Sequence, residues 1–184
     1  MGVPTPPVPV KLIIALLAAK QEVFTTACQQ LQEHYGPIDL ASDLWPWTTT
    51  NYYRDEMGDH LFRKFVAFES LITPGALTRI KRETNRWELE LSAIPTPMMP
   101  RRINLDPGYV DVAKLVLAST KDQAHRIYLA DGIYGEVTLL YRQGEFQPFL
   151  YTYADYRWPE THQFLRRVRT RYLEQTRTLR QERK

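Results

Sequence analysis

Eight apolar residues in a row, Leu12 to Ala19, have to leave water almost completely, and few arrangements allow that so near the start of a chain. A run this short and rich in Ile and Leu suits a buried central strand. Lys11 in front and small residues behind also match a secretory leader, but the run is at the short end for one, and Pro4, Pro6, Pro7 and Pro9 precede it. We therefore expect a strand kept in the mature protein, with residues 1–9 as a flexible proline-rich leader. No run approaches the roughly 20 apolar residues that cross a bilayer, so no membrane partner is expected.

The 184 residues are 43% hydrophobic and 12% aromatic, enough to fill the core of one domain. Cys28 is the single cysteine and can form no internal disulfide; its place in an apolar helical pattern reads as a small buried hydrophobe in a reducing cytoplasm. Net charge is +3, yet residues 157–184 hold nine Lys/Arg against three Asp/Glu while the rest hold 15 against 18. The excess belongs to the tail, not to the fold.

Val23, Phe24, Ala27, Cys28, Leu31 and Tyr35 form a helical stripe that Gly36 and Pro37 end. Residues 38–47 alternate like a half-buried strand that Pro46 confines to an edge, and 48–58 read as a loop. Leu61 to Ile72 is a strand, after which Thr73-Pro74 opens a helix with Leu77, Ile80, Thr84, Trp87 and Leu91 on one face. A further strand at about 101–105 would complete β-α-β-β-α-β, the split arrangement of ferredoxin-like folds. Pro95, Pro97 and Pro100 mark a linker inside the domain, and 110–119 suits either a helix capped by Asp111 or a buried strand. Strands at 126–130, 133–142 and 146–153, joined at Asp131-Gly132 and Gln143-Gly144, predict an antiparallel meander. A helix over 159–180 follows, whose stripe of Phe164, Leu165, Val168 and Tyr172 fades after Leu173. The expected architecture is one α+β domain, residues 10–173, mainly an antiparallel sheet with helices packed on it, followed by a dispensable basic tail, 174–184.

Several polar blocks stand out: Tyr52-Tyr53-Arg-Asp-Glu56-Met-Gly58, Asn104-Leu-Asp106-Pro-Gly-Tyr109, Lys121-Asp122-Gln-Ala-His125-Arg126-Ile-Tyr128-Leu, Gly132-Ile-Tyr-Gly-Glu136-Val-Thr138-Leu and Tyr153-Ala-Asp155-Tyr156-Arg157. In this order, over about residues 10–157, they resemble the bacterial domain-of-unknown-function family 4416. The resemblance implies little about activity, since members are uncharacterised. Some similar proteins carry a GTP-binding label, but this chain has no Gly-x-x-x-x-Gly-Lys-Ser/Thr loop to cradle a triphosphate. The label is a hint toward phosphate and no more.

The residues themselves support an anion site. Lys121 offers a point charge, Arg126 a planar fork and His125 a proton near neutral pH. Alternation in a strand would set Arg126 and Tyr128 on one face and His125 on the other. The competing reading is structural: Arg126 pairs with Glu136 across the Asp131-Gly132 hairpin, Asp122 caps a turn and His125 bonds a carbonyl. Asp106-Pro107-Gly108 is a strong turn signal, which would put Asp106 and Tyr109 at a strand end. Tyr52 or Tyr53 can stack on a base and Glu56 can move a proton or hold a metal, or these residues seal the core edge. Asp106, Asp122, Glu56 and Glu136 together would suit magnesium if they converged. No Gly-x-Ser-x-Gly elbow exists, and Cys28 lies in an apolar stripe, so serine and cysteine nucleophiles are not expected.

The leading expectation is a cytoplasmic protein that binds a phosphate-bearing metabolite or nucleotide, with acid-base or magnesium-assisted chemistry as its extension. Lys121, Arg126 and Arg102 would neutralise the anion, His125, Glu56 and Asp106 would handle protons, and Tyr52, Tyr53, Tyr109 and Tyr128 would position the ligand. The alternatives are an RNA-binding module using the arginine-rich helix 166–183, and an interaction domain whose polar blocks are structural.

Overall fold

A computed structural model describes residues 2–50, 53–92 and 101–181. Tyr52, the proline-marked stretch 95–100 and the last three residues of the tail lie outside them. In chain order the elements are β1 (Val10–Ala18), α1 (Gln21–Tyr35), β2 (Ile38–Ala41), β3 (Trp45–Pro46), α2 (Arg54–Met57), β4 (Phe62–Ile72) and α3 (Leu77–Ser92). They continue with β5 (Ile103–Val110), β6 (Lys114–Ser119), β7 (Ile127–Ala130), β8 (Ile133–Arg142), β9 (Glu145–Pro148), α4 (Pro159–Gln175) and α5 (Arg177–Gln181). Short 3₁₀ turns precede α3, at Pro74–Ala76, and α4, at Ala154–Arg157. No helix among the described residues is long and apolar enough to cross a membrane.

The result is an α+β fold on one nine-stranded antiparallel sheet, in the order β2-β4-β1-β5-β6-β8-β7, with β3 beside β4 and β9 beside β8. The β2-β4-β1-β5 part has the strand order of a split β-α-β unit. The apolar run explains why β1 is central: all nine of its residues are buried, because both faces are covered. Leu12, Ile14 and Leu16 meet α1 and α3 through Phe24, Leu31, Ile80 and Trp87. Ile13 and Ala15 meet α4 through Phe164, Leu165 and Val168. Period-2 alternation in the strand and 3.6-residue stripes on the helices thus build a three-layer core.

Several local expectations give way. The strand over 38–47 is two short ones, because Ser42 turns its side chain to accept from the Phe65 N–H at 2.9 Å and breaks the ladder. The loop 48–58 contains the single turn of α2. Residues 110–119 are strand β6 after a tight turn, in which Asp111 Oδ1 accepts from the Ala113 and Lys114 N–H groups at 2.7 and 2.9 Å. The strand after Gly144 stops at Pro148 instead of running to 153.

The largest difference is Asp106-Pro107-Gly108, which is no turn but the interior of β5. Pro107 is tolerated because β5 has β1 on one side and has not yet met β6 on the other; pairing with β6 begins only at Gly108 opposite Leu117. Gly108 is there for closeness: a Cβ would collide with the Val116 carbonyl and the Leu117 side chain. The hairpin turns behave as expected, with positive φ at Asp131, Gly132, Gln143 and Gly144.

At the C-terminal end the helix expected over 159–180 is divided, α4 ending at Gln175 and α5 beginning at Arg177, and contacts continue past residue 173. Gln175 donates to the Glu69 carbonyl at 2.6 Å and accepts from Lys11 at 2.9 Å, and Thr176 is fully buried. The chain then breaks into α5, so the fold proper ends at Thr176.

Candidate functional site

Beyond the rung between Gly108 and Leu117, β5 and β6 part. A cleft of about 740 Å³ fills the fork, lined by Asn104 and Asp106 of β5 and by Leu117, Ala118 and Ser119 of β6. The register carries the polar face further: Arg63, Leu17 and Asn104 stand side by side across β4, β1 and β5, and Phe65, Ala15 and Asp106 form the next row. Helix α3 closes one wall. Its Ile80 and Trp87 face the core, and the adjacent stripe Lys81, Asn85 and Glu88 faces the cleft, as i, i+4, i+7 spacing requires.

That wall is a closed network. Lys81 Nζ donates to the Leu105 carbonyl at 2.8 Å and reaches Asp106 at 3.4 Å, while Asn104 donates to Asp106. Arg101 donates to Asn104 and Glu88, and Glu88 accepts from the Leu105 N–H at 2.6 Å. Burial pushes the Asp106 carboxyl up, but Lys81 and Arg63 outweigh it and leave it below its ordinary value. In Glu88 burial prevails over the same kind of cations, and its value rises.

The opposite wall is braced by a pair. Arg126 Nε donates to Glu136 at 2.7 Å, with both side chains only 2% exposed. Its Nη1 donates to the Lys121 carbonyl at 2.9 Å and its Nη2 to the Tyr153 hydroxyl at 2.7 Å, so every nitrogen of the guanidinium is engaged. His125 reaches the same Glu136 oxygen at 3.1 Å and stacks on Tyr151 at 4.1 Å. The expected separation of His125 and Arg126 onto two faces fails because both precede β7, in a turn closed by the Arg126 N–H to the Gln123 carbonyl.

The floor differs from both walls. Arg63 is 3% exposed, with Asp155 Oδ2 3.0 Å from Nη2, Asp106 Oδ2 3.7 Å from Nη1, and the Trp47 ring 4.9 Å from Cζ. Its Nε and Nη1 have no hydrogen-bond partner, and neither do Asp155 Oδ2, the Tyr156 hydroxyl or Thr49 Oγ1, although all are buried and all belong to residues lining the cleft. Buried polar groups are nearly always satisfied, so such a cluster in a cleft marks a candidate polar binding site. Arg63 remains a cation, since Asp155 and Asp106 outweigh the effect of burial. Burial lifts Asp155 above its ordinary value in spite of Arg63, and holds the Tyr156 phenol far from deprotonation.

Of the residues singled out in the sequence, Tyr53, Glu56, Asp106, Lys121 and Arg126 line this one cleft, and His125 stands behind it against Glu136. The others do not. Tyr109 is three residues from Asp106, hence on the other face of β5, packed near Leu77 and Val116. Tyr128 is exposed on the hairpin beside Tyr134. Arg102 uses its N–H on Ser92, and the neighbouring Arg101 is the one that faces the cleft. Tyr52 lies outside the described residues. Glu56, Asp106 and Glu136 each pair with an arginine or lysine, Asp122 is not in the lining, and no three acidic, histidine or cysteine side chains among the described residues are grouped to hold a metal. Magnesium does not fit this donor set.

The sequence reading passed over Arg63, Lys81, Glu88 and Arg101, and gave no role to Asp155 and Tyr156 although their block stood out. Arg63 carried a signal: it shares the inward phase of Phe65 and Ala67, a buried row where an unpaired charge is rarely placed. Two arginines of the basic helix are also tied into the fold, Arg169 to the Val112 carbonyl and the Tyr141 ring, and Arg171 to Asp39. Arg166, Arg167 and Arg177 remain exposed.

No curated protein and no solved structure matches the chain. A family model does, across residues 8–172, which takes in β1 through the buried part of α4 and every described wall of the cleft. The chain belongs to the family described as a domain of unknown function, DUF4416.

Proposed function

We propose that the cleft binds a small phosphate-bearing metabolite, with Arg63 as the group that receives its anion, in a cytoplasmic protein. One observation carries this: a buried guanidinium keeps two nitrogens without a hydrogen bond in a cavity large enough for a metabolite. Guanidinium N–H groups suit phosphate oxygens in charge and geometry, and a site already free of bulk water makes each such bond stronger. Arg126, by contrast, has its donors occupied and acts as a brace for Glu136. Trp47, Tyr53 and Tyr153 add flat apolar surface for the rest of the ligand. The half-buried Cys28 thiol, raised by burial, agrees with a reducing compartment.

Thermal unfolding against a panel of phosphate monoesters, nucleoside monophosphates and inorganic phosphate tests the reading. A ligand at 100 times its Kd should add about 2.7 kcal/mol of stability. Arg63→Gln should abolish that gain while the variant still unfolds cooperatively. A gain unchanged by Arg63→Gln would overturn the assignment. RNA binding that survives Arg63→Gln and disappears with residues 177–184 would favour the basic helix instead.

A further inference from the structure

The cleft is neutral before anything enters it. Arg63, Lys81, Arg101, Lys121 and Arg126 face Glu56, Glu88, Asp106, Glu136 and Asp155. An anion on Arg63 would bring net negative charge to a floor whose ion-paired side chains are only 2–3% exposed, and burying uncompensated charge is strongly unfavourable. The nearest compensation is Asp155. Its Oδ2 lies 3.0 Å from Arg63 Nη2, buried and without a hydrogen bond. As a carboxylate it would repel an incoming anion; as a carboxylic acid it would donate an O–H to it.

We infer that Asp155 meets the bound anion as a carboxylic acid, donating its O–H to one of the anion's oxygens, so that binding takes up one proton from solvent. This rests on the anion-binding reading of the cleft. The proton goes onto an Asp155 carboxylate oxygen, no covalent bond of the ligand changes, and the floor keeps its charge balance. Burial already favours the protonated form of this group beyond what Arg63 offsets. The charged and titratable groups around it are Arg63 from β4, Asp106 from β5 and Tyr156 beside it. Tyr53 and Glu136 act on the same floor through Arg63 and Tyr156, and His162 of α4 bonds the Tyr156 carbonyl at 2.9 Å. Asp106 cannot take the role, because Lys81, Arg63 and Asn104 all stabilise its ionised form. The site therefore selects a group with acceptor oxygens that tolerates one shared proton, as a phosphate monoester does and an ammonium does not.

Sulfate is the probe, since it has no titrating group over about pH 5–8 and any pH dependence belongs to the protein. Its affinity should fall, approaching tenfold per pH unit, once the pH exceeds the value at which free Asp155 ionises. Asp155→Asn, whose amide also donates but cannot take up a proton, should bind sulfate with an affinity independent of pH. Proton uptake on adding sulfate to the unaltered protein in weakly buffered solution should approach one per site, a measurement that does not depend on how the variant folds. Sulfate binding that requires Arg63 but shows neither pH dependence nor proton uptake would overturn the inference and leave the anion site standing. A pH dependence that persists in Asp155→Asn would overturn it in favour of another titrating group. No binding of sulfate or phosphate at any pH removes the anion site itself, and the inference with it.

Discussion

Two cations are buried in the same sheet, and they are treated in opposite ways. Lys11 in β1 is 0% exposed and spends its three N–H bonds on Asp39 at 2.8 Å, the Phe68 carbonyl at 2.7 Å and Gln175 at 2.9 Å. Arg63 in β4 is 3% exposed and leaves two of its three nitrogens without a hydrogen bond. The first joins β1 to β2, β4 and the end of α4, and all three of its own donors are used, although Asp39 Oδ1 beside it accepts no hydrogen bond. The second sits at the floor of a fork in the sheet with Trp47 against it. Burial alone therefore does not tell the two charges apart; the state of their own hydrogen bonds does.

The contrast can be broken most forcefully at Asp39. Asp39→Ala removes the only carboxylate paired with Lys11, whose value is already lowered by burial, and should cost about 3–5 kcal/mol by urea unfolding. A loss below about 1 kcal/mol would mean that Lys11 is neutral in the folded state and that its network is not ionic. Next comes the brace. Arg126→Ala leaves Glu136 buried with only His125 and Thr138, and a loss of about 2–3 kcal/mol is expected. A near-neutral result accompanied by loss of ligand binding would move Arg126 from the wall to the ligand. The smallest effects lie at the chain end. Truncation after Thr176 should change stability by no more than about 0.5 kcal/mol, whereas truncation after Leu173 also takes Gln175 from Lys11 and should cost about 1–2 kcal/mol in the same assay. Equal effects of the two truncations would show that the Gln175 bonds contribute nothing.

The sequence was most readable where one requirement acts on a whole segment. Leu12 to Ala19 has to be buried on both faces, and Asp131-Gly132 and Gln143-Gly144 have to adopt positive φ, so the central strand and both hairpins follow directly. It misled where a strong local preference yields to a neighbour. Asp106-Pro107-Gly108 prefers a turn, but eight consecutive rungs with β1 hold it extended. The site was half legible for the same reason. Glu56, Asp106, Lys121 and Arg126 stand in polar blocks and were visible there. Arg63 is hidden in the row of a strand that also carries Phe65 and Ala67, and Lys81 and Glu88 lie on the flank of a helical stripe whose centre alone is apolar. Arg101 in place of Arg102 shows the limit of spacing arguments, since both precede β5, where no strand alternation assigns a face and only Arg101 meets Glu88 and Asn104.

Gly108 gives the cleft its dimensions. It is the last rung before β5 and β6 separate, and the absence of a Cβ is what lets the Val116 carbonyl come so near. Any other side chain at this rung would act as a wedge, driving β6 outward and moving the branching point toward Val110. The mouth would then widen at a place that touches none of the charged residues, and a ligand reaching from Arg63 to Ser119 would lose contact on one side. Substitutions on the floor and the walls can therefore leave the outline of the cleft unchanged, but the apex of the fork admits only glycine as long as the cleft keeps its present width.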